Sequence, residues 1–289
     1  MKFKIKTPPE FSYEYSLAFL TRSPKELMHV VNGKAVRKVV KVSGAAVLFE
    51  VNDGLEVQIL TDNPPPGAFQ YVKNYVSEWF DLDTDLKPFY SLAGKDAVLG
   101  SIVKKFHGYR IMGQPDLFES LVWAVLGQQI NVAFAYSIKQ RFVEKYGERF
   151  EHNGHVYYLF PTPERVAAIN SEELIPLQFS RQKSAYTIGI AKAFVDKQVS
   201  RDMFHGRPLA EAKEELMKLK GIGNWTANYA LMRTFRYPDA FPLEDVALHK
   251  ALRIQMNMRK KPTLDRVKKI FRKYKGWEAY ATLYLWKSL

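Results

Sequence analysis

The chain has 289 residues, 47% of them hydrophobic, which is enough for about two cored domains. Its 43 Lys and Arg outnumber 30 Asp and Glu for a net charge of +13, which favours a polyanionic partner, nucleic acid ahead of an anionic membrane, with a merely basic protein as the alternative. There are no cysteines, which excludes disulfides, thiolate catalysis, cysteine-ligated zinc and iron–sulfur clusters.

Met1-Lys2-Phe3-Lys4-Ile5-Lys6 alternates charge and bulk like a strand and lacks the apolar run of a signal peptide. No segment approaches the ~18 apolar residues of a membrane span. A soluble cytoplasmic protein without membrane contact is the expectation. Val39–Val42, Ala46–Val51 and Leu55–Leu60 are β-branched strand candidates, with Asn52-Asp53-Gly54 as a hairpin turn. Asn63-Pro64-Pro65-Pro66-Gly67 stops the sheet, and an amphipathic helix follows over Phe69–Phe80.

The texture changes near Gly108, which divides residues 1–108 from residues 109–289. Asp116 to Glu119 has the spacing of a capping box, and the helix that it opens runs to Gly127. Gln128 and Gln129 sit at the break before a second helix, Asn131 to Tyr146. Further helices are expected over Pro163–Ile169, Lys183–Lys197, Leu209–Leu219, Trp225–Phe235 and Val246–Met256, with two more near the C-terminus. The fold class is α+β: a mixed domain of antiparallel sheet plus helix, then an all-helical core.

Between two of these helices lies Leu219-Lys220-Gly221-Ile222-Gly223-Asn224-Trp225-Thr226-Ala227. Gly221 and Gly223 permit a tight reversal. The next helix starts at once, so its unpaired N–H groups and dipole point into the turn, with Lys220 adding charge. That makes an anion site; an ordinary helix corner is the plainer alternative. On the following helix, Ala227, Ala230, Leu231 and Thr234 form one stripe, and Trp225, Tyr229 and Met232 form another roughly opposite. A helix apolar on two sides is either wholly buried or lines a cavity.

Asp245 precedes a helical pattern, where it serves as an N-cap, a catalytic carboxylate, or both, because a carboxylate at a helix N-terminus is held rigidly. Asp239 and Glu244 compete for a catalytic role, and His249 is expected at the surface. Arg259 to Lys275 is strongly basic, with Val267, Ile270, Phe271 and Tyr274 as an apolar stripe, and reads equally as solvated surface or phosphate contact. On the C-terminal helix, Trp286 lies about 180° from the stripe begun by Trp277.

The Leu-x-Gly-Ile-Gly-x-Trp-Thr-Ala motif, with Asp245 following Trp225 at an interval of twenty residues, resembles the helix-hairpin-helix DNA glycosylases, most closely the bacterial 3-methyladenine DNA glycosylase II group. Val125–Val132 resembles their segment that enters the minor groove, and Tyr280–Trp286 resembles their C-terminal helix. The resemblance spans Pro115 to the end and implies a two-lobed helical core. It implies that Asp245 is the catalytic carboxylate and that amides at Gly221, Gly223, Trp225 or Thr226 bind a phosphate beside the lesion. Trp225, Tyr229 and Trp286 map onto the base pocket, while Gln128 or Gln129 fills the gap left by the extruded nucleotide. The carbonyls of Met217, Leu219 and Ile222 fall where relatives hold a monovalent cation, Na+ or K+; no other cofactor is implied. Bifunctional relatives carry a lysine where Trp225 stands, so the resemblance implies a monofunctional enzyme, a nucleoid-associated monomer acting on double-stranded DNA with alkylated purines. A non-catalytic helix-hairpin-helix clamp and a glycosylase for deaminated purines are the alternatives.

Overall fold

A computed structural model describes all 289 residues. Five strands, β1 (Lys2–Lys4), β2 (Val30–Asn32), β3 (Ala35–Val42), β4 (Ala45–Asn52) and β5 (Glu56–Ile59), form an antiparallel sheet in the order β1-β5-β4-β3-β2. Helix α1 (Tyr13–Leu20) lies between β1 and β2 in sequence, and α2 (Ala68–Trp79) follows β5. Alternation sorts the strand side chains. Val36, Val40, Val47, Phe49 and Val57 pack with Val72, Val76 and Trp79 of α2. The turn between β4 and β5 is looser than a two-residue hairpin: Asn52 pairs with Glu56, and buried Leu55 turns inward at φ 52°.

The other sheet face is covered by an element that the strand pattern did not announce. β6 (Glu148–His152) and β7 (His155–Leu159) form a hairpin inside the helical half of the chain. Tyr157 and Leu159 pack on Val39 and Leu48. Its Asn153-Gly154 turn, both residues at positive φ, is a strong hairpin signal, but the polar β6 hides it.

Helices α3 (Lys87–Ala93) and α4 (Gly100–Lys105) also lack a clear sequence signal, being too short to show a period. They precede Gly108, yet Phe89, Ala93, Leu99 and Ile102 share a core with the last helices of the chain. Residues before Gly108 are thus divided between two packing units. At Gly108 (φ 86°) a Cβ would sit 1.8 Å from the Glu10 carbonyl oxygen, so glycine is required where the chain crosses.

The helical remainder has two lobes. One is built from α5 (Leu117–Gly127), α6 (Val132–Tyr146), α7 (Pro163–Ala167), α8 (Arg181–Val195) and α9 (Leu209–Met217). After α10 (Asn224–Phe235), the second lobe combines α11 (Val246–Gln255), α12 (Leu264–Phe271) and α13 (Glu278–Lys287) with α3 and α4. α10 joins the lobes: Ala227, Ala230 and Leu231 belong to the first core and Met232 to the second. Asp116 caps α5 by accepting from the Glu119 amide, but the expected box is half made, because the Glu119 carboxylate pairs with Lys139 instead. No helix is long and apolar enough to cross a membrane.

Candidate active site

α9 ends at Met217 and α10 begins at Asn224, so the glycine motif is the reversal between them. Gly221 is fixed twice over. Its φ is 94°, and an added Cβ would lie 2.3 Å from the Tyr186 ring. Gly223, exposed, occupies the N-cap of α10 and supplies no side chain to satisfy the first amides of that helix. Those amides and the positive helix end therefore face outward beside exposed Lys220. Thr226 is buried and its hydroxyl accepts from Gln128, so only its backbone belongs to this anion site.

The two glutamines after α5 separate cleanly. Gln128 donates to the Gly221 carbonyl and the Thr226 hydroxyl, 2.9 Å each, and braces the hairpin from behind. Gln129 is exposed, uncommitted and held at φ 57°. It borders, with Phe134, Lys220 and Gly223, an open cleft of about 700 Å³.

Asp245 is the N-cap of α11, its Oδ1 accepting from the Leu248 amide at 2.7 Å. Two indoles complete its shell. Trp286 Nε1 donates to Oδ1 at 2.8 Å and Trp225 Nε1 to Oδ2 at 3.0 Å. Trp225 stacks on Tyr229 with ring centres 5.2 Å apart, and Tyr229 meets Trp286 at 6.4 Å. These three rings are all half-buried, so the off-face aromatics of two helices form one wall above one carboxylate. Met232, placed in the same stripe by periodicity, is instead buried in the second lobe's core.

The competing groups fall away. Glu244 is exposed and accepts from Asn224 Nδ2. Asp239 makes no hydrogen bond to the aromatic wall. His249 is not at the surface: it is 3% exposed, with its ring nitrogens 2.8 Å from the Leu243 carbonyl and 3.1 Å from that of Pro262. Burial follows from its place on the inner face of α11, and it ties down the loop that carries Asp245.

A family model described as HhH-GPD superfamily base excision DNA repair protein matches residues 122–276. A DNA-3-methyladenine glycosylase of Bacillus subtilis is 42% identical over 99% of this chain and 96% of its own length. The chain belongs to the HhH-GPD superfamily. A second model, described as 8-oxoguanine DNA glycosylase, N-terminal domain, matches residues 24–121 of this HhH-GPD protein. DNA-3-methyladenine glycosylase 2 of Escherichia coli is 29% identical over 66% of the chain and 65% of its own length. The whole fold is shared with a 3-methyladenine DNA-glycosylase from Archaeoglobus fulgidus, with a TM-score of 0.83 at 22% identity over 99% of this chain and 97% of that one.

In this HhH-GPD protein the aromatic wall continues into residues that sequence reading missed. Trp123 Nε1 of α5 donates to the Tyr229 hydroxyl at 3.1 Å, and its ring lies 4.7 Å from that of Tyr136 on α6. Tyr136 accepts from Arg22 Nε at 2.6 Å. Nothing local marks these residues: Trp123 sits in a helix whose other side chains are mostly buried, and Arg22 reaches Tyr136 across 114 residues of sequence.

Proposed function

We propose that this protein is a monofunctional DNA glycosylase that extrudes an alkylated purine from double-stranded DNA and hydrolyses its N-glycosidic bond. The observation that carries this reading is the grip on Asp245: both tryptophans of the aromatic wall donate their indole N–H to the same carboxylate. A pure DNA clamp needs neither the wall nor the carboxylate.

A base within the stack is out of reach, so it is flipped at a cost of a few kcal/mol. Alkylation at N3 or N7 leaves the purine cationic and a good leaving group. Trp225, Tyr229 and Trp286 attract that cation through their faces, by about 0.5–2 kcal/mol per favourable contact. As the bond breaks, positive charge develops on the sugar, and Asp245, rigid at the start of α11, stabilises it and orients water. The open amides of the hairpin hold the neighbouring phosphate, and Gln129, exposed and uncommitted, takes the space left by the flipped nucleotide.

The carbonyls of Met217, Leu219 and Ile222 suit a monovalent cation. Met217 closes α9 and Leu219 lies just beyond it, where the helix dipole is negative, while Ile222 stands in the reversal directly before Gly223; a bound Na+ or K+ would add positive charge beside the phosphate. The absence of lysine at position 225 supports base release without a Schiff base and strand cleavage. The reading includes a monomer.

Mass spectrometry of bases released from methylated genomic DNA tests this function. Wild type is expected to release 3-methyladenine and 7-methylguanine, while Asp245→Asn releases neither and still binds lesion DNA. Wild-type rates in the variant would remove Asp245 from the chemistry. Cleaved strands from wild type acting on an abasic site would refute the monofunctional reading.

A further inference from the structure

The wall above Asp245 has three rings, and only two of them are anchored on the carboxylate. Trp225 and Trp286 each donate an indole N–H to it. Tyr229 meets both of those rings but makes no hydrogen bond to Asp245. The one hydrogen bond of its hydroxyl comes from Trp123 Nε1, at 3.1 Å. Tyr229 is only half-buried, so packing alone would orient its ring less firmly than that bond does. Of the three wall rings, it is also the one that packs against the small cluster of Trp123, Ala135 and Tyr136.

Trp123 can hold another ring because it is itself held on several sides. It is 8% exposed on α5, with the Tyr136 ring of α6 4.7 Å away and the Lys139 ammonium 5.5 Å from its own ring centre. That ammonium is pinned between Glu26 and Glu119, each at 3.1 Å. The Tyr136 hydroxyl in turn accepts from Arg22. A buried indole N–H needs an acceptor and can only donate. The Tyr229 hydroxyl is the acceptor that it finds, so loss of either partner breaks the same bond.

Resting on the reading of this site as a glycosylase pocket, we propose that Trp123 is a positioning residue for lesion recognition: it acts through Tyr229, fixing the plane of the ring that receives the flipped base. A ring held in advance binds a base without the entropy cost of ordering it, which is about 0.5–1.5 kcal/mol for one side chain, or about 2- to 13-fold in affinity. The benefit falls equally on bound substrate and transition state, because the ring meets the base in both. Such a contribution appears in KM and leaves kcat nearly unchanged. Asp245 keeps its three donors whether or not the Trp123–Tyr229 bond is made. Trp123 thus governs how tightly the lesion is seated, and the tryptophans on Asp245 govern how fast it is cut.

The test is excision kinetics on a duplex carrying one 7-methylguanine, for wild type, Trp123→Phe, Tyr229→Phe and the double variant. Each single variant is expected to raise KM about 5-fold with a much smaller change in kcat, and to bind undamaged duplex as wild type does. The double variant should raise KM no further, since both substitutions remove one bond. A double variant whose KM rises by the product of the two, about 25-fold, overturns the proposal, because the residues would then act independently. An unchanged KM in the single variants overturns it too, as does a loss confined to kcat, which would tie Trp123 to Asp245 rather than to the seat of the base. If Trp123→Phe fails to fold in a thermal melt, Tyr229→Phe removes the same bond from its half-buried end and carries the test by its KM. If wild type itself releases no base, the glycosylase reading fails; if wild type excises and the variants depart from this pattern, only the role of Trp123 fails.

Discussion

Asp245 receives a different constraint from each of its three donors. The Leu248 amide ties it to α11, Trp225 ties it to the hairpin helix, and Trp286 ties it to the C-terminus. Trp286→Phe keeps an aromatic surface but removes one charged hydrogen bond, leaving Oδ1 held by the Leu248 amide alone and the carboxylate less firmly oriented. A misplaced carboxylate harms the transition state more than the ground state. The expected outcome is a fall in kcat of about 10-fold or more with a smaller change in KM, read by single-lesion excision kinetics. An equal loss in kcat for a variant that keeps an indole, such as a repositioned wall made by Tyr229→Phe, would point to stacking instead. Gly221 makes a second residue-scale prediction. Gly221→Ala meets both the positive φ and the Tyr186 ring, so it should lower stability by about 1–3 kcal/mol and weaken DNA binding. Chemical denaturation and a binding titration measure the two effects separately.

At the scale of elements, α10 is the piece on which the site depends. It presents amides at one end, half-buried Trp225 and Tyr229 along one side, and core residues of two lobes on the others. Its core stripe and the Trp225–Tyr229 pair were legible in the sequence, as were the glycine reversal and the Asp245 cap, because these are local patterns with helical or turn spacing, while Met232 went to the second lobe's core. The place of Trp286 off the core face showed in its angle on α13, and the structure sets it beside Asp245. Arg22, Trp123 and Tyr136 were not legible, since their meeting depends on contacts between distant segments and on no period. Helix α12 carries the remaining element-scale prediction. Val267, Ile270 and Phe271 bury one face, leaving Arg266 and Lys269 exposed and unpaired, while Lys273 is engaged by Asp96. If α12 touches the DNA backbone, replacing Arg266 and Lys269 with Gln reduces the slope of log affinity against log salt by about 2, as expected for two lost phosphate contacts. An unchanged slope removes α12 from the footprint.

Across the whole molecule, the sheet domain is fastened to the helical lobes by buried charge, and its effect depends on pH in two opposite senses. Lys139 on α6 lies 3.1 Å from both Glu26, in the loop before β2, and Glu119 on α5. Burial alone would raise the Glu26 carboxyl, but Lys139 overcomes it and holds the group down at about 2, against an ordinary 4.5. A carboxylate depressed in the folded state contributes stability that is fully present above pH 4.5 and is lost as pH falls toward 2. Lys139→Met strands two buried carboxylates and should cost about 3–5 kcal/mol at pH 7. The deficit should shrink as acid protonates them.

Asp81 works the other way. It is fully enclosed by Thr84, Tyr280 and Arg110, and burial pushes it up to about 6 from 3.8, despite those hydrogen bonds. A carboxyl raised in the folded state favours folding below pH 3.8, and that contribution is lost as pH rises through 6. A shift of this size corresponds to about 3 kcal/mol against folding once the group ionises. Asp81→Asn keeps an acceptor for Tyr280 or Thr84 and cannot ionise. Its urea midpoint is therefore expected to exceed that of wild type at pH 7 and to converge on it near pH 3.5. A midpoint below wild type at pH 7 would mean that the ionised carboxylate, accepting from Tyr280 and Thr84, is worth more to the joint between sheet and α13 than its burial costs.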